Sequence, residues 1–300
     1  MLAATARAEN VWPRPDPASL PAGAEKDQVL YGERLIAETY SVIGPEVADQ
    51  AMRYAGNNLA CQSCHLNTGA QRYGLSYIGV YGAYPANMAR ENEMRTLKQR
   101  INGCMERSMN GRALPEDSKE IEAMVAYIRF LSASAPEGVE GRSTPPLPFL
   151  SRAADLRHGE EVYGEICAAC HGVDGQGLRK GVAGEAKGYL YPPLWGPDSF
   201  NDGAGMHRLI TSARFIHANM PLGTTFETPY LSAAEAWDVA AYINSKPRPH
   251  KEGLDRDYPD RSRKPVDAPF PPFADDFPLE QHRLGPFQPI VDARETKSAN

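Results

Sequence analysis

Two copies of one five-residue pattern constrain this chain more than any other feature. The pattern is C-x-x-C-H, and its copies are Cys61-Gln-Ser-Cys64-His65 and Cys167-Ala-Ala-Cys170-His171. In such a segment both thiols bond to the vinyl groups of haem c, and the adjoining histidine is placed to ligate the iron. Disulfides, a thioredoxin-like pair or a zinc site also use closely spaced cysteines. The histidine after each pair, and the repetition, favour two covalently bound haems c.

The length of the chain and its charge narrow the possibilities further. Three hundred residues suit about two domains, and the two motifs begin 106 residues apart. The net charge of −6 disfavours a nucleic-acid partner. No apolar run is long enough to span a bilayer, so no transmembrane segment is expected.

Each half of the chain repeats the same order of helices around its motif. A helical pattern over 29–43 leads towards Cys61, and the tripeptide Ala-Tyr-Ile recurs at 126–128 and 241–243, in the closing helix of each half. We expect both closing helices to begin at a capping box, formed by Asp117 with Glu120 and by Ser232 with Glu235. The first of these helices is predicted to have an apolar face, made of Ile121, Met124, Val125, Ile128 and Leu131. The predicted fold is all-α, with two class I cytochrome c-like domains in tandem, related by duplication, and extended proline-rich N- and C-terminal segments.

Composition predicts where these parts begin and end. The predicted segments are an N-terminal segment (1–25), a first cytochrome c domain (26–134), a linker rich in proline and glycine (135–150), a second cytochrome c domain (151–248) and a proline-rich tail (249–300). The tail has the composition of a disordered segment, but its aromatic residues favour a strap that packs across both domains. These residues are Phe270, Phe273, Phe277 and Phe287.

The start of the chain bears on its cellular location. Haem c is attached on the periplasmic side of bacterial membranes, so an export signal is expected. Ala6-Arg-Ala8 has the form of a signal-peptide cleavage site, although the preceding residues lack a basic region and a full apolar core. We predict a periplasmic protein, because a cytoplasmic one would conflict with both haem motifs.

The second haem needs an axial ligand from a later segment. Met220 is the preferred candidate, because Pro221 favours an extended loop that can present the sulfur to the iron. The alternative is a core methionine that fills space beside the haem. The other candidates for this ligand are Met206, His207, His217, Lys180 and Lys187.

Spacing alone does not decide which residue is the corresponding axial ligand of the first haem. Met105 and Met109 could ligate the iron, but they continue the four-residue spacing of Leu97 and Ile101, which is typical of the buried stripe of a helix. Cys104 lies on a neighbouring line of the same helix. It is either an iron ligand or a buried, inert cysteine.

The neighbours of Cys104 favour a reactive thiol. Arg100 lies four residues before it, Arg107 three after it and Ser108 four after it. A thiol between guanidinium groups is expected to have a lowered pKa and to be available as thiolate. Thiolate on haem iron lowers the reduction potential of the metal.

The segment around Cys104 is basic within an acidic protein. The charges are either a solvated helix face or the wall of an anion pocket. Arginine suits a polyoxygenated anion, because its planar fork donates two parallel hydrogen bonds. The basic residues are Arg90, Arg95, Lys98, Arg100 and Arg107.

On these features the sequence resembles the dihaem thiosulfate dehydrogenases, which also act as tetrathionate reductases. The resemblance covers residues 26–248 and rests on both haem motifs, on Gly-Cys-Met-Glu-Arg-Ser-Met-Asn-Gly at 103–111 and on Asn-Met-Pro at 219–221. The segment 103–111 is the specific part, because haem motifs alone match many unrelated cytochromes.

The resemblance implies a reaction and a set of axial ligands. Two thiosulfate ions would be joined oxidatively into tetrathionate, with two electrons released. The first haem would be the active site, with His65 and Cys104 as axial ligands, and the second would pass electrons onward, with His171 and Met220 as ligands. Asn219 stands where some members of the family have a ligand-switching lysine.

The resemblance also implies substrate contacts and a partner. Arg90, Arg100 and Ser108 match the residues that hold thiosulfate in the family, and Arg107 is a further candidate that would otherwise face the haem propionates. The electron acceptor would be a soluble or membrane-bound c-type cytochrome.

Two other functions agree with the haem motifs. The first is a dihaem cytochrome that only transfers electrons, with methionine on both irons. The second is the haem subunit of a sulfur-oxidation complex, which would need a partner protein for activity. The arginine-rich surroundings of Cys104 favour the enzyme, because electron transfer alone does not require them.

Overall fold

The chain folds as two helical units and a C-terminal segment that contacts both. The computed structural model describes residues 14–133, 135 and 144–299. The Ala6-Arg-Ala8 pattern and residues 136–143 of the predicted linker lie outside this range. The helices of the first unit are α1 (Ala24–Ala37), α2 (Thr39–Val42), α3 (Leu97–Arg107) and α4 (Lys119–Ser132). Those of the second unit are α5 (Leu156–Val162), α6 (Ala168–His171), α7 (Leu209–Asn219) and α8 (Ala233–Ser245), and the C-terminal segment adds α9 (Leu279–Leu284) and α10 (Gln288–Ala299).

A close crossing of the first and last helices organises each unit. In the first unit α1 crosses α4 at Gly32, where a Cβ atom would lie 2.0 Å from the carbonyl oxygen of Ala123. In the second unit α5 crosses α8 at Gly159, where a Cβ atom would lie 2.1 Å from the carbonyl oxygen of Asp238. Only glycine allows backbones to approach so closely. The same contact in both units supports the predicted duplication.

The core of each unit lies beneath this crossing. Of the apolar face predicted for α4, four residues are buried and Val125 is half-buried; the buried ones are Ile121, Met124, Ile128 and Leu131. The Ala-Tyr-Ile repeats lie in α4 and α8, and the tyrosines, Tyr127 and Tyr242, both contact the crossing glycine of their unit. The helical class and the tandem arrangement are therefore as the sequence predicts.

One predicted capping box is wrong and the other is confirmed. α4 begins after Ser118, whose hydroxyl accepts a hydrogen bond from the backbone N–H of Ile121, so Asp117 lies one residue before the cap. At α8 the box is reciprocal: the hydroxyl of Ser232 accepts from the N–H of Glu235 at 3.2 Å, and the carboxylate of Glu235 accepts from the N–H of Ser232 at 2.7 Å. Aspartate and serine are both good N-cap residues, so the sequence alone does not show which of the adjacent Asp117 and Ser118 caps the helix.

Two short antiparallel strand pairs add to the helical fold. β1 (Ala86–Met88) pairs with β2 (Glu93–Arg95), directly before α3. β3 (Leu178–Arg179) pairs with β4 (Tyr189–Tyr191), after the second haem motif. Segments of two or three residues are too short for an alternating pattern to predict.

Two segments outside the main helices of the second unit pack into its core. The described end of the predicted linker packs into the core of this unit, where Trp237 donates its indole N–H to the carbonyl of Pro148. The C-terminal segment also reaches this core through Phe287 and Ile290. α10 was not expected in a proline-rich tail; burial of Ile290 against the second unit stabilises it beyond its own helical propensity.

The two units meet through polar contacts with buried partners. Asn57 donates its amide N–H groups to the backbone carbonyls of Ser108 and Ser199, at 3.0 and 3.1 Å. Arg179 forms an ion pair with Glu46. Contacts of this kind fix the orientation of the units, because a misplaced partner would leave a buried polar group unsatisfied.

Candidate functional site

The first haem motif forms a tight turn that directs its histidine inward. Cys61 begins a short 3₁₀ helix (Cys61–Ser63), and its carbonyl accepts the backbone N–H of His65 at 2.9 Å. Nδ1 of His65 lies 2.5 Å from the carbonyl oxygen of Leu75, so this nitrogen donates and Nε2 is left with its lone pair. Burial lowers the pKa of His65 to about 4. A neutral imidazole with a fixed tautomer is the form that ligates a metal.

The second motif repeats this geometry at the end of a π-turn (Tyr163–Cys167) and α6. Nδ1 of His171 lies 2.8 Å from the carbonyl oxygen of Pro192. Burial lowers the pKa of His171 as well. Both histidines are thus oriented by a backbone carbonyl, although the segments that provide the carbonyl differ in sequence.

An apolar cavity of about 380 Å³ lies at the second motif. Cys167, Cys170, His171 and Met220 all line it. Two thiols, an imidazole and a thioether therefore border one space, as the attachment and ligation of a haem c require. Cys64 of the first motif also lines this cavity, so the two haem sites are neighbours across the interface.

The candidates for the second axial ligand differ in where their side chains lie. Met220 directly follows α7 and lines the cavity, as do Met206 and Lys180. His207 is held by the backbone carbonyls of Asp202 and Asn244, one at each ring nitrogen. Neither His217 nor Lys187 lines the cavity. Lys187 instead forms an ion pair with Glu185.

α3 carries Cys104 to the first motif together with Arg100. The helix begins at a capping box formed by Thr96 and Gln99, and Arg100 and Cys104 follow on one face, a turn apart. Nη1 of Arg100 donates to Sγ of Cys104 at 2.9 Å. The attraction of Cys104 raises the pKa of Arg100 above its usual value.

The electrostatic effects of this pair reach the haem motif. Burial is the main cause that raises the pKa of Cys64 to about 12, and the nearby Cys61 and Cys104 add to it. The positive charge of Arg100 adds to the effect of burial in lowering the pKa of His65. The structure therefore brings Cys104 and Arg100 together with the first motif, from separate parts of the sequence.

Met105 of α3 and Met109, two residues beyond its end, lie in the core. Met105 and Met109 are 1% and 3% exposed and belong to the apolar cluster of the first unit. Their burial agrees with the buried helix stripe that their spacing predicts. Cys104, by contrast, lies beside the first haem motif.

Two of the remaining predicted substrate residues pair with a carboxylate of the C-terminal segment. Arg90 and Arg107 both donate to the carboxylate of Asp257, at 3.1 and 2.8 Å. The carbonyl of Ser108 accepts from Asn57 at the interface between the units. Arg95 and Lys98, which are also basic residues of this segment, pair with Glu93 and Glu122.

Three residues of this region were missed by sequence reasoning. The ring of Tyr77 stacks on His65, with ring centroids 4.3 Å apart. Burial raises the pKa of Tyr84, and the positive charge of nearby Arg100 opposes this effect. Asp257 lies in the tail, 150 residues beyond Arg107, and no local pattern connects it with α3.

Comparisons with known proteins agree with the division into two haem units. A family described as SoxA/TsdA, cytochrome c domain, matches residues 51–136, and one described as cytochrome c oxidase, cbb3-type, subunit III, matches residues 154–243. The chain is 40% identical to a thiosulfate dehydrogenase of Stutzerimonas stutzeri over 82% of this chain and 76% of the relative. It is 42% identical to a thiosulfate dehydrogenase of Allochromatium vinosum, over 78% and 83% of the respective chains.

A solved structure is similar to the whole two-unit arrangement. It is the thiosulfate dehydrogenase TsdBA of Marichromatium purpuratum in its "as isolated" form, with a TM-score of 0.72 and 37% sequence identity. The match covers 83% of this chain and 52% of the other, so this chain spans about half of that protein.

Proposed function

This chain belongs to the thiosulfate dehydrogenase family, and from that premise we propose that it joins two thiosulfate ions into tetrathionate and passes two electrons to an external acceptor. The observation that carries the proposal is the contact between Arg100 and Cys104 beside the first haem motif. A cytochrome that only transfers electrons has no need of a guanidinium on a thiol at its haem.

The two haems c supply one-electron redox chemistry when bound, and two of them together accommodate the electron pair of one coupling. The residues of the chain hold them covalently at Cys61, Cys64, Cys167 and Cys170. His65 and His171 are oriented for ligation by their backbone carbonyl partners. Cys104 would serve as the further ligand of the first iron and Met220 as that of the second.

The arginines counter the repulsion between the two substrate ions. Two unit charges 4 Å apart repel by about 1 kcal/mol in water, so two dianions at that distance repel by about 4 kcal/mol. Fixed guanidinium groups offset this repulsion more strongly in a partly dehydrated site than in water. Arg100 donates to a substrate oxyanion next to Cys104, while Arg90 and Arg107 maintain the positive potential behind it. Ser108, one turn beyond Cys104, is the further substrate contact.

The acceptor proposed here is a c-type cytochrome in the periplasm. Leu190 and Leu222 line the cavity of the second haem and are also 56% and 76% exposed. Exposed apolar residues at the mouth of a cavity suit a transient protein contact. Among the residues that the structure describes, no helix has both the length and the apolar character needed to cross a bilayer.

Turnover by the purified, haem-loaded chain tests the proposed function. Thiosulfate is supplied with an artificial electron acceptor, and tetrathionate and reduced acceptor are both measured. We expect one tetrathionate and two electrons for every two thiosulfate ions consumed. Haem reduction without tetrathionate would favour an electron-transfer cytochrome, and activity only after addition of a partner protein would favour a subunit of a larger complex.

A further inference from the structure

We infer that Asp257 of the C-terminal segment is a positioning residue of the anion site. Its carboxylate accepts hydrogen bonds from Arg90 and Arg107, so that the substrate anion binds to Arg100 instead. This inference rests on the proposed function and adds a specificity-determining residue to it. Asp257 does not touch Cys104 or the haem motifs; it acts through the two arginines.

The geometry around Asp257 is that of a bound oxyanion. Nη2 of Arg107 donates to Oδ1 at 2.8 Å, and Nη1 of Arg90 donates to Oδ2 at 3.1 Å. The backbone carbonyl of Gly203 accepts from both guanidinium groups, at 2.9 Å from Arg90 and 3.4 Å from Arg107. Arginine forks bind carboxylate and sulfur oxyanions with the same geometry, so the carboxylate takes a place that an inorganic anion could take.

The segment around Asp257 is fixed to the first unit by further contacts. The backbone N–H of Tyr258 donates to the carbonyl of Arg90 at 2.7 Å, and the ring of Tyr258 lies 5.4 Å from the Arg90 guanidinium. Arg261 donates to the backbone carbonyl of Asp257 at 2.9 Å. Asp257 itself is 7% exposed. The carboxylate is therefore held in place by the fold rather than by the arginines alone.

The charge balance explains why a carboxylate is needed here. Burial lowers the pKa of Arg90, and the charges of Arg107 and Arg100 add to this effect, so the three guanidinium groups lie close enough to repel one another. Without Asp257, Arg90 and Arg107 would be a pair of partly buried cations without a counter-ion. Such a pair recruits an anion from solution. Asp257 fills that position permanently and directs substrate anions to Arg100 and Cys104.

The substitution Asp257→Asn tests this inference with sulfate as the probe. Sulfate is a dianion with tetrahedral oxygens, as thiosulfate is, but it cannot be coupled oxidatively. In the haem-loaded full chain we expect Asp257→Asn to bind sulfate on Arg90 and Arg107. Sulfate should then raise the melting temperature of the variant more than that of the wild type, because it binds only the folded protein and only the variant has this place open. Chloride at equal ionic strength should not reproduce this effect.

Two further variants make the test specific. Asp260→Asn removes another carboxylate of the same segment, one that accepts from the backbone N–H of Ser262 and does not contact Arg90 or Arg107, and it should leave the sulfate response unchanged. The double variant Asp257→Asn with Arg107→Gln restores the net charge but leaves Arg90 as the only guanidinium group of the pair. It should lose the sulfate response again, which a general loosening of the fold would not cause.

The two proposals fail in different ways. Equal sulfate responses of the wild type, Asp257→Asn and Asp260→Asn would overturn the role of Asp257. The melting measurement needs no turnover, so a sulfate response in a chain that does not oxidise thiosulfate would support the anion site and refute the proposed function. If Asp257→Asn does not fold, Asp257→Glu provides the same comparison, because its longer side chain shifts the carboxylate away from one arginine and should give a weaker response of the same sign.

Discussion

Nη1 of Arg100 lies 2.9 Å from Sγ of Cys104, one turn away on the same helix. This contact joins the two features that the proposed chemistry requires, a sulfur beside the first haem motif and a fixed positive charge for an oxyanion. The direction in which both side chains point depends on the cap at Thr96, which fixes where α3 begins. If the helix began one residue earlier or later, both side chains would be rotated by about 100° around its axis.

Replacement of Arg100 tests its role as the substrate contact. Arg100→Gln should lower kcat/KM for thiosulfate by roughly 10- to 150-fold, because a charge-assisted hydrogen bond contributes about 1.5–3 kcal/mol. Arg100→Lys should retain part of this activity, since it keeps the charge but not the fork. Arg129→Gln, which removes an exposed arginine of α4, is the matched control. Equal kinetics for Arg100→Gln and this control would refute the role.

Replacement of Met220 tests the second axial ligand. A thioether ligand raises the reduction potential of haem iron, so Met220→Leu should lower the potential of one haem and remove the methionine-to-iron absorption band. Met206→Leu is the control, because Met206 lines the same cavity. Potentiometric titration of both variants measures the effect. A lowered potential in Met206→Leu instead would assign the ligand to Met206.

The glycine crossings make a prediction about stability. A methyl group at Gly32 or Gly159 would lie about 2 Å from a backbone carbonyl oxygen, so the helices must separate. Gly32→Ala and Gly159→Ala should each lower the free energy of unfolding by about 1–3 kcal/mol or more. Gly82→Ala meets nothing within 4 Å and is the control. Chemical denaturation of the haem-loaded proteins measures the difference, and three equal values would contradict the crossing.

The buried Lys264 gives the stability a dependence on pH. Burial, with a contribution from Arg261, lowers the pKa of Lys264 from 10.5 to about 8. The unfolded chain therefore binds more protons than the folded chain between pH 8 and 10.5, so this residue makes stability rise with pH across that window. Lys264→Met should abolish the rise and stabilise the protein at pH 7 by up to about 3 kcal/mol. Thermal unfolding at several pH values compares it with the exposed control Lys297→Met. An unchanged pH profile in Lys264→Met would contradict this prediction.

Local patterns predicted the parts of the fold that depend on local chemistry. The haem motifs, the apolar face of α4 and the box at Ser232 are all encoded within a few residues, and the structure confirms the helices that contain them. The order of helices and haem motif in each half could also be predicted, because the two halves repeat one sequence pattern.

Long-range pairing accounts for what the sequence did not predict. The amide of Asn219 donates to the carbonyl of Tyr73 in the other unit, at 3.2 Å, and so connects the Met220 loop with the segment that holds His65. Asp257 reaches Arg107 of α3 in the same way. Each contact joins residues more than 140 positions apart, and a single sequence contains no signal that pairs them.

The most direct test of the central claim combines the spectrum of the first haem with thiosulfate turnover in Cys104→Met. The control is Met105→Leu, a conservative change in the core beside it. If Cys104 is the axial ligand at the catalytic haem, Cys104→Met loses the thiolate signature in the optical and EPR spectra and loses thiosulfate oxidation, while Met105→Leu retains both. An unchanged spectrum with native turnover in Cys104→Met would contradict the claim.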